Sequence, residues 1–415
     1  MDSGNIAFVI VSAALVFIMT PALAFFYGGL VRRKNVLNTM MSSIFITGVA
    51  IVFWVVIGYS LSFGTGNSFI GDFSHLFFNN VSMNDSTLGY TIPDACFAIF
   101  QMMFAVITPA LITGSVVGRI NFKALVGFIT LWLLVVYCPM AHMVWGGGFL
   151  AQIGSVDFAG GTVVHISSGI SGLTLAILLG KRRDYDKASY SPHNIPFVVL
   201  GASFLWFGWF GFNAGSALAA NGLALHAFIT TAVSSGAALI SWMIIDIIKT
   251  GKPTIVGAST GLVIGLVAIT PGCGFVPIWS AIIIGFLVSP ICYFGIDLIK
   301  HRLGIDDALD AFGCHGIGGI WGCLATGLFA MKDLPDAVTT TARWNGLFFG
   351  DAHLFGAQVL SILVTVVVAV AGTLICYGIV RLFCKDFRVG DRDERMGLDQ
   401  TQHGENAYPT FNGFD

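Results

Sequence analysis

Glutamate is almost missing from this chain. Two occur in 415 residues, Glu394 and Glu405, both near the C-terminal end. Charge of either sign is scarce: Asp, Glu, Lys and Arg make up 10% of the sequence, against roughly 25% in a typical soluble domain. With 20 Lys and Arg against 22 Asp and Glu the net charge is −2, which excludes the basic surface that nucleic acid requires. The eight cysteines contain no C-x-x-C pair, so the common redox and zinc spacings are absent. Most lie in apolar runs, where a thiol acts as a small hydrophobe. Cys96, Cys138 and Cys273 fall near segment ends on one side of the expected topology, which leaves a disulfide among them open. No nucleophile–base pair and no nucleotide loop is visible, so an enzyme is not expected and cofactor chemistry has no foothold.

What is abundant is apolar. Hydrophobic residues reach 56% and mean hydropathy is +0.84. The chain reads as an all-α polytopic membrane protein whose partner is the lipid bilayer, since a span needs about 20 apolar residues. Eleven transmembrane helices are predicted, at about 5–31, 38–62, 93–116, 121–139, 157–180, 195–216, 224–248, 254–270, 276–300, 311–330 and 351–384. Ala22-Leu23-Ala24 resembles a signal-peptidase site, but no basic segment precedes the run, so it reads as the first span. Residues 1–384 then form the membrane domain and 385–415 a cytoplasmic tail.

The basic residues set the orientation. Arg32, Arg33 and Lys34 follow span one. Arg119 and Lys123 follow span three, and Lys181, Arg182, Arg183 and Lys187 span five. Lys249 and Lys252 follow span seven, Lys300 and Arg302 span nine, and five more run from Arg381 to Arg395. That places 18 of 20 on one side, with Lys332 and Arg343 opposite. The N-terminus is expected outside and the C-terminus in the cytoplasm of a cell-membrane protein.

Five spans per half give the halves, about 5–180 and 195–330, inverted topology, with a long final helix added. Spans five and ten hold equivalent places, and each carries one histidine in a shared pattern. Asp157-x7-His165-x3-Gly169-Ile170-x-Gly172 answers Asp307-x7-His315-x3-Gly319-Ile320-x-Gly322, 150 residues later. The stripe Gly161, His165, Gly169, Gly172 and Ala176 matches Ala311, His315, Gly319, Gly322 and Thr326. Small residues at this spacing let helices approach closely. An ionisable group inside hydrocarbon is costly and usually faces a pathway, so a matched pair points to a pore at the repeat interface. A lone histidine there could equally be a packing group satisfied by a carbonyl. Metal binding is disfavoured because no third and fourth ligand is patterned nearby, although Cys314 adjoins His315.

The stretch Asp157-Phe-Ala-Gly-Gly-Thr-Val-Val-His165 resembles the signature of the ammonium transporter family, which includes the Amt, methylammonium permease and Rhesus proteins. Further matches are Ala24-Phe-Phe-Tyr-Gly-Gly-Leu-Val-Arg32, Phe100-Gln-Met-Met-Phe104 and Met143-Val-Trp-Gly-Gly-Gly148. Gly208-Trp-Phe-Gly-Phe-Asn-Ala-Gly-Ser216, Asp307-Ala-Leu-Asp-Ala-Phe-Gly-Cys-His315 and Gly397-Leu-Asp-Gln-Thr-Gln-His-Gly-Glu-Asn-Ala-Tyr408 extend them over nearly the whole chain. They are closer to the Amt branch than to the Rhesus branch.

The resemblance implies a homotrimer with one pore per protomer. It implies an outer ammonium site of Trp145, Phe104 and Ser216, a gate of Phe104 and Phe212, the pore pair His165 and His315, and pore-adjacent Phe100 and Trp209. It also implies regulation by a PII-type signalling protein at the cytoplasmic face. The expected function is ammonium transport, with deprotonation at the outer site, passage of ammonia past the histidines and net movement of charge. Asp157 is expected to cap span five and make the entrance more negative, and Asp307 and Asp310 share a similar helix-start context. For Trp145 the alternative is an interfacial anchor, and for the phenylalanines ordinary packing. The tail mixes both charge signs, which suits either a solvated end or a docked regulatory segment. Two other functions stay open: an ammonium sensor on the same scaffold, against which the absence of a fused signalling domain counts, and a Rhesus-type neutral ammonia gas channel.

Overall fold

Long apolar helices dominate because the chain has little else to build with. A computed structural model of the protein describes residues 1–185, 190–335 and 338–408; Lys187 and the last seven residues of the tail lie outside the described residues. The helices are α1 (Ser3–Leu30), α2 (Arg33–Phe63), α3 (Asp94–Val116), α4 (Phe122–Gln152), α5 (Gly161–Leu179), α6 (Ile195–Gly215), α7 (Gly222–Thr250), α8 (Ile255–Ile269), α9 (Ile278–Arg302), α10 (Phe312–Phe329) and α11 (His353–Phe383). Among the described residues ten are long and apolar enough to cross a membrane, and α8 is a shorter apolar helix of 15 residues. That gives about 22 Å at 1.5 Å per residue. Pro271 follows at once, and the chain then stays buried in turns through Cys273, Phe275 and Val276.

Span four differs from expectation. The sequence suggests an end at residue 139, yet helix continues to Val144 before breaking at Trp145. A π-helical turn, Leu133–Tyr137, precedes Pro139. The wider turn absorbs the register change around a residue that has no N–H to donate. A short antiparallel pair, β1 (Asp333–Leu334) and β2 (Val338–Thr339), is the strand structure among the described residues. All eight cysteines are free, so the disulfide left open for Cys96, Cys138 and Cys273 does not form. Cys138 instead lies 3.6 Å from the Gly58 carbonyl and Cys273 3.5 Å from that of Thr270.

The two halves join through their equivalent elements. Helices α1 and α6, the first of each half, meet along a glycine seam. A Cβ at Gly201 would lie 2.3 Å from Phe26 N, one at Gly208 2.3 Å from Met19 Cγ, and one at Gly215 2.6 Å from Ser12 Cβ. Helices α5 and α10, the fifth of each half, cross at their small residues: a Cβ at Gly169 would lie 2.4 Å from Gly316 N, and one at Gly319 3.1 Å from His165 Cβ. Only glycine permits such backbone approach. α11 lies against α4, α5 and α10.

The basic loops gather at one end of the bundle, where the tail docks on them. Leu398 N donates to Asn35 Oδ1 at 2.9 Å, and Asp399 Oδ1 accepts from Asn38 N at 2.8 Å. Lys34 Nζ reaches the Glu394 carbonyl at 2.9 Å, and Glu394 takes hydrogen bonds from Arg183 N and Arg388 Nη2. Arg183 also pairs with Asp391. The reading of a solvated end therefore does not hold for residues 386–408.

Candidate functional site

Both histidine helices begin the same way. Asp157 accepts from Gly160 N, Gly161 N and Thr162 N at 2.7 Å each, and from Thr162 Oγ1 at 2.5 Å. Asp307 Oδ2 accepts from Phe312 N at 2.8 Å, while its Oδ1 accepts from Ser115 Oγ at 2.6 Å. The free N–H groups of a helix start need such an acceptor. Each carboxylate holds a π-helical first turn, Gly161–Ile166 or Phe312–Ile317, and each turn contains the histidine. Asp310 does not share this role. Its backbone is left-handed, at φ 59°, and its carboxylate pairs with Lys300 at 2.6 Å.

The crossing of α5 and α10 brings the histidines face to face. Nδ1 of His165 and Nδ1 of His315 are 3.3 Å apart, with rings 5.2 Å centre to centre and inclined by 21°. Both are buried, and His165 Nε2 has no hydrogen-bond partner. A hydrogen bond between two Nδ1 atoms needs one proton, so one ring carries its hydrogen on Nδ1 and the other on Nε2. The pair therefore offers one donor and one acceptor on its remaining nitrogens.

A continuous aromatic series leads to this pair. His165 stacks on Trp209 at 5.4 Å and lies 6.2 Å from Phe212. Phe212 meets Phe104 at 4.3 Å, inclined by 31°, and Phe104 meets Trp145 at 5.7 Å and Phe100 at 5.1 Å. The polar ends of the indoles are fixed: Trp145 Nε1 donates to the Asp157 carbonyl and Trp209 Nε1 to Thr270 Oγ1, both at 2.9 Å. Ser216 Oγ donates to the Phe212 carbonyl at 2.8 Å, which leaves it free to accept.

Three spaces follow one another. At the end away from the basic loops a chamber of about 370 Å³ is lined by Phe104, Trp145, Asp157 and Ser216. Beyond the Phe104–Phe212 contact lies a narrow lumen of about 20 Å³ bounded by Phe212, Trp209, His165, His315, Cys314 and Leu309. That is room for a molecule or two the size of water. Leu309 and Cys314 also border a third space of about 630 Å³ that opens among the basic loops. Trp145, Phe104, Ser216, Phe212, Trp209, His165 and His315 thus fall along one line, with Phe100 behind Phe104 and Asp157 at the chamber wall. Sequence reasoning missed Thr270, which accepts from Trp209 Nε1, and Cys314 as a lining residue; a threonine or cysteine in an apolar run carries no signal of bonding an indole or facing a cavity.

A family model described as Ammonium Transporter Family matches residues 7–408. An ammonium transporter of Bacillus subtilis is 46% identical, over 98% of this chain and 99% of that protein. The chain belongs to the ammonium transporter family. Ammonium transporter Amt1 of Archaeoglobus fulgidus is 41% identical over 98% of this chain and all of its own length. The crystal structure of Saccharomyces cerevisiae Mep2 superposes with a TM-score of 0.88 at 35% identity, over 99% of this chain and 94% of that one. A solved chain titled Sensor Amt Protein gives 0.87 at 27% identity, over 96% and 98%. The family is one of transporters. Its members share the polytopic helical fold described above, so the paired histidine helices belong to an ammonium transporter scaffold.

Proposed function

We propose that this protein is an ammonium transporter that recruits ammonium in the aromatic chamber, removes a proton, and conducts ammonia through the histidine lumen with net movement of charge. The observation that carries this reading is the single line of chamber, phenylalanine pair, histidine pair and inner space. The faces of Trp145 and Phe104 each attract a cation by about 0.5–2 kcal/mol, and the Ser216 hydroxyl accepts one of the four N–H hydrogens. That suffices for a partly hydrated ion at an entrance. It does not suffice beyond Phe212, where an unpaired ion in an apolar space faces an idealised cost of tens of kcal/mol. Ammonium avoids that cost by giving up a proton, and a potassium ion has none to give.

The proton leaves either to water in the chamber or to the histidine pair. Imidazole titrates near neutrality and both donates and accepts. A proton arriving at the free nitrogen of one ring, with transfer across the 3.3 Å gap, releases one from the far nitrogen of the other. Ammonia passing alongside finds one donor and one acceptor. Asp157 acts mainly as the support of α5, because both of its oxygens are occupied by the helix start, and its charge also favours cations in the chamber.

The basic end is assigned to the cytoplasm by the excess of Lys and Arg there. The docked tail and the 630 Å³ inner space are then the surfaces open to a PII-type partner, and a homotrimer is the assembly that the family resemblance supports. A sensor role has one specific observation behind it, the likeness to the solved Sensor Amt Protein.

Proteoliposomes on a solid-supported membrane test the reading. An ammonium pulse is expected to give a sustained current that potassium does not. His165→Ala is expected to lower that current at least tenfold or to lose the discrimination against potassium. A bound but non-conducting protein would favour the sensor, uptake without charge the Rhesus-type gas channel, and an unaltered His165→Ala would remove the histidines from the mechanism.

A further inference from the structure

On α3 the residues Phe97, Gln101 and Phe104 follow one another at steps of four and three, the spacing of a single helix face, and all three line the chamber. The two phenylalanines are held by other rings, Phe97 by Phe63 at 4.9 Å and Phe104 by Phe212. Gln101 is held by nothing comparable. Its residue is 8% exposed, and its Oε1 is buried without a hydrogen-bond partner. A buried carbonyl left unpaired is costly and calls for an occupant that pairs it.

Three other polar side chains at the chamber are committed. Both oxygens of Asp157 hold the start of α5, Trp145 Nε1 is bound to the Asp157 carbonyl, and Ser216 has spent its hydrogen on Phe212. Near the two ring faces of Trp145 and Phe104, a cation with N–H donors meets one Ser216 lone pair and the Gln101 carbonyl, while Tyr90, Ser155, Thr341 and Arg343 also border the chamber. A neutral amide also suits a site that must release its cation, since a carboxylate would bind it more strongly.

We infer that Gln101 Oε1 is a direct ligand of the ammonium ion in the chamber, an inference that rests on the proposed reading of this site. The test is the apparent KM of the ammonium-evoked current in proteoliposomes, for the intact chain and for Gln101→Leu, Gln101→Met, Gln101→Glu and Trp145→Ala. Leu and Met remove the acceptor and are expected to raise KM about tenfold, equivalent to about 1.4 kcal/mol, with the maximal current largely kept. Glu restores the acceptor with a charge, and is expected to bring KM below that of the parent at pH 7 and to let it rise as the pH is lowered into the carboxylate range. A role in packing alone would give neither the lowered KM nor its pH dependence. If whichever of Leu and Met folds leaves KM unchanged, or if Glu raises KM as they do, Gln101 is no ligand. If in addition Trp145→Ala leaves KM unchanged, or the parent gives no ammonium current, the reading of the chamber itself fails.

Discussion

Asp157 receives four hydrogen bonds from the first turn of α5, so its removal strands three backbone N–H groups in a buried place. Hydrogen bonds to a charged group contribute about 1.5–3 kcal/mol each before losses overlap. Asp157→Ala is therefore expected to destabilise the protein by at least about 2 kcal/mol, seen as a lowered unfolding temperature in detergent. Asp157→Asn, which keeps one acceptor oxygen, is expected to fall between. If Asp157→Ala melts with the parent, the supporting role is wrong. These hydrogen bonds were legible in the sequence because an aspartate stood before a helical stripe. Asp310 stands in the same helix-start context, but the left-handed backbone that turns its carboxylate to Lys300 leaves no trace in residue order. Gln101 was legible as a letter in a motif, but an unpaired oxygen is a property of what surrounds it.

At the level of elements, hydropathy marked the helices well because lipid admits few alternatives to a complete helix. It could not mark the π turns of α4, α5 and α10, which arise where packing overrides the regular ladder. Nor could composition decide the tail, whose mixed charges suit water as well as a docked surface. Docking depends on Gly397, whose φ is 109° and whose added Cβ would lie 2.6 Å from Lys34 Cβ and 2.7 Å from Lys34 O. A side chain is strained in that conformation and has no room. Gly397→Ala is expected to release the segment after Val389, making it cleavable by a dilute protease while the helices stay intact. Protection equal to the parent's would show that the tail is held by other means.

Across the whole molecule, the inverted repeat was legible from the two histidine patterns, and the structure adds that equivalent helices of the halves, α1 with α6 and α5 with α10, form the joint. The basic end is tied together by carboxylates in loops. For Asp184 partial burial works against ionisation, but hydrogen bonds from Arg32 and Tyr190 outweigh it and hold the carboxyl down at about 2. Asp306, which meets Arg182 at 2.6 Å, is also held below its ordinary range. A carboxyl depressed in the folded state adds stability that is complete above its unfolded value near 3.9, and that is lost as pH falls through the folded value. Unfolding temperature is thus expected to drop from pH 4 toward pH 2, and Asp184→Asn to make that drop shallower. An Asp184→Asn profile parallel to the parent's between pH 5 and pH 2 would remove this link.

The contact of Gly169 with Gly316 has a consequence for time. Beside the histidines the backbones of α5 and α10 already touch, so the two helices cannot close further on one another there. On the reading proposed above, the barrier that moves is the pair of rings of Phe104 and Phe212. Side-chain rotations belong to far shorter times than the microsecond-to-millisecond rocking of whole domains. On that reading, passage keeps the clock of a turning ring, and the inner and outer mouths need never take turns to open.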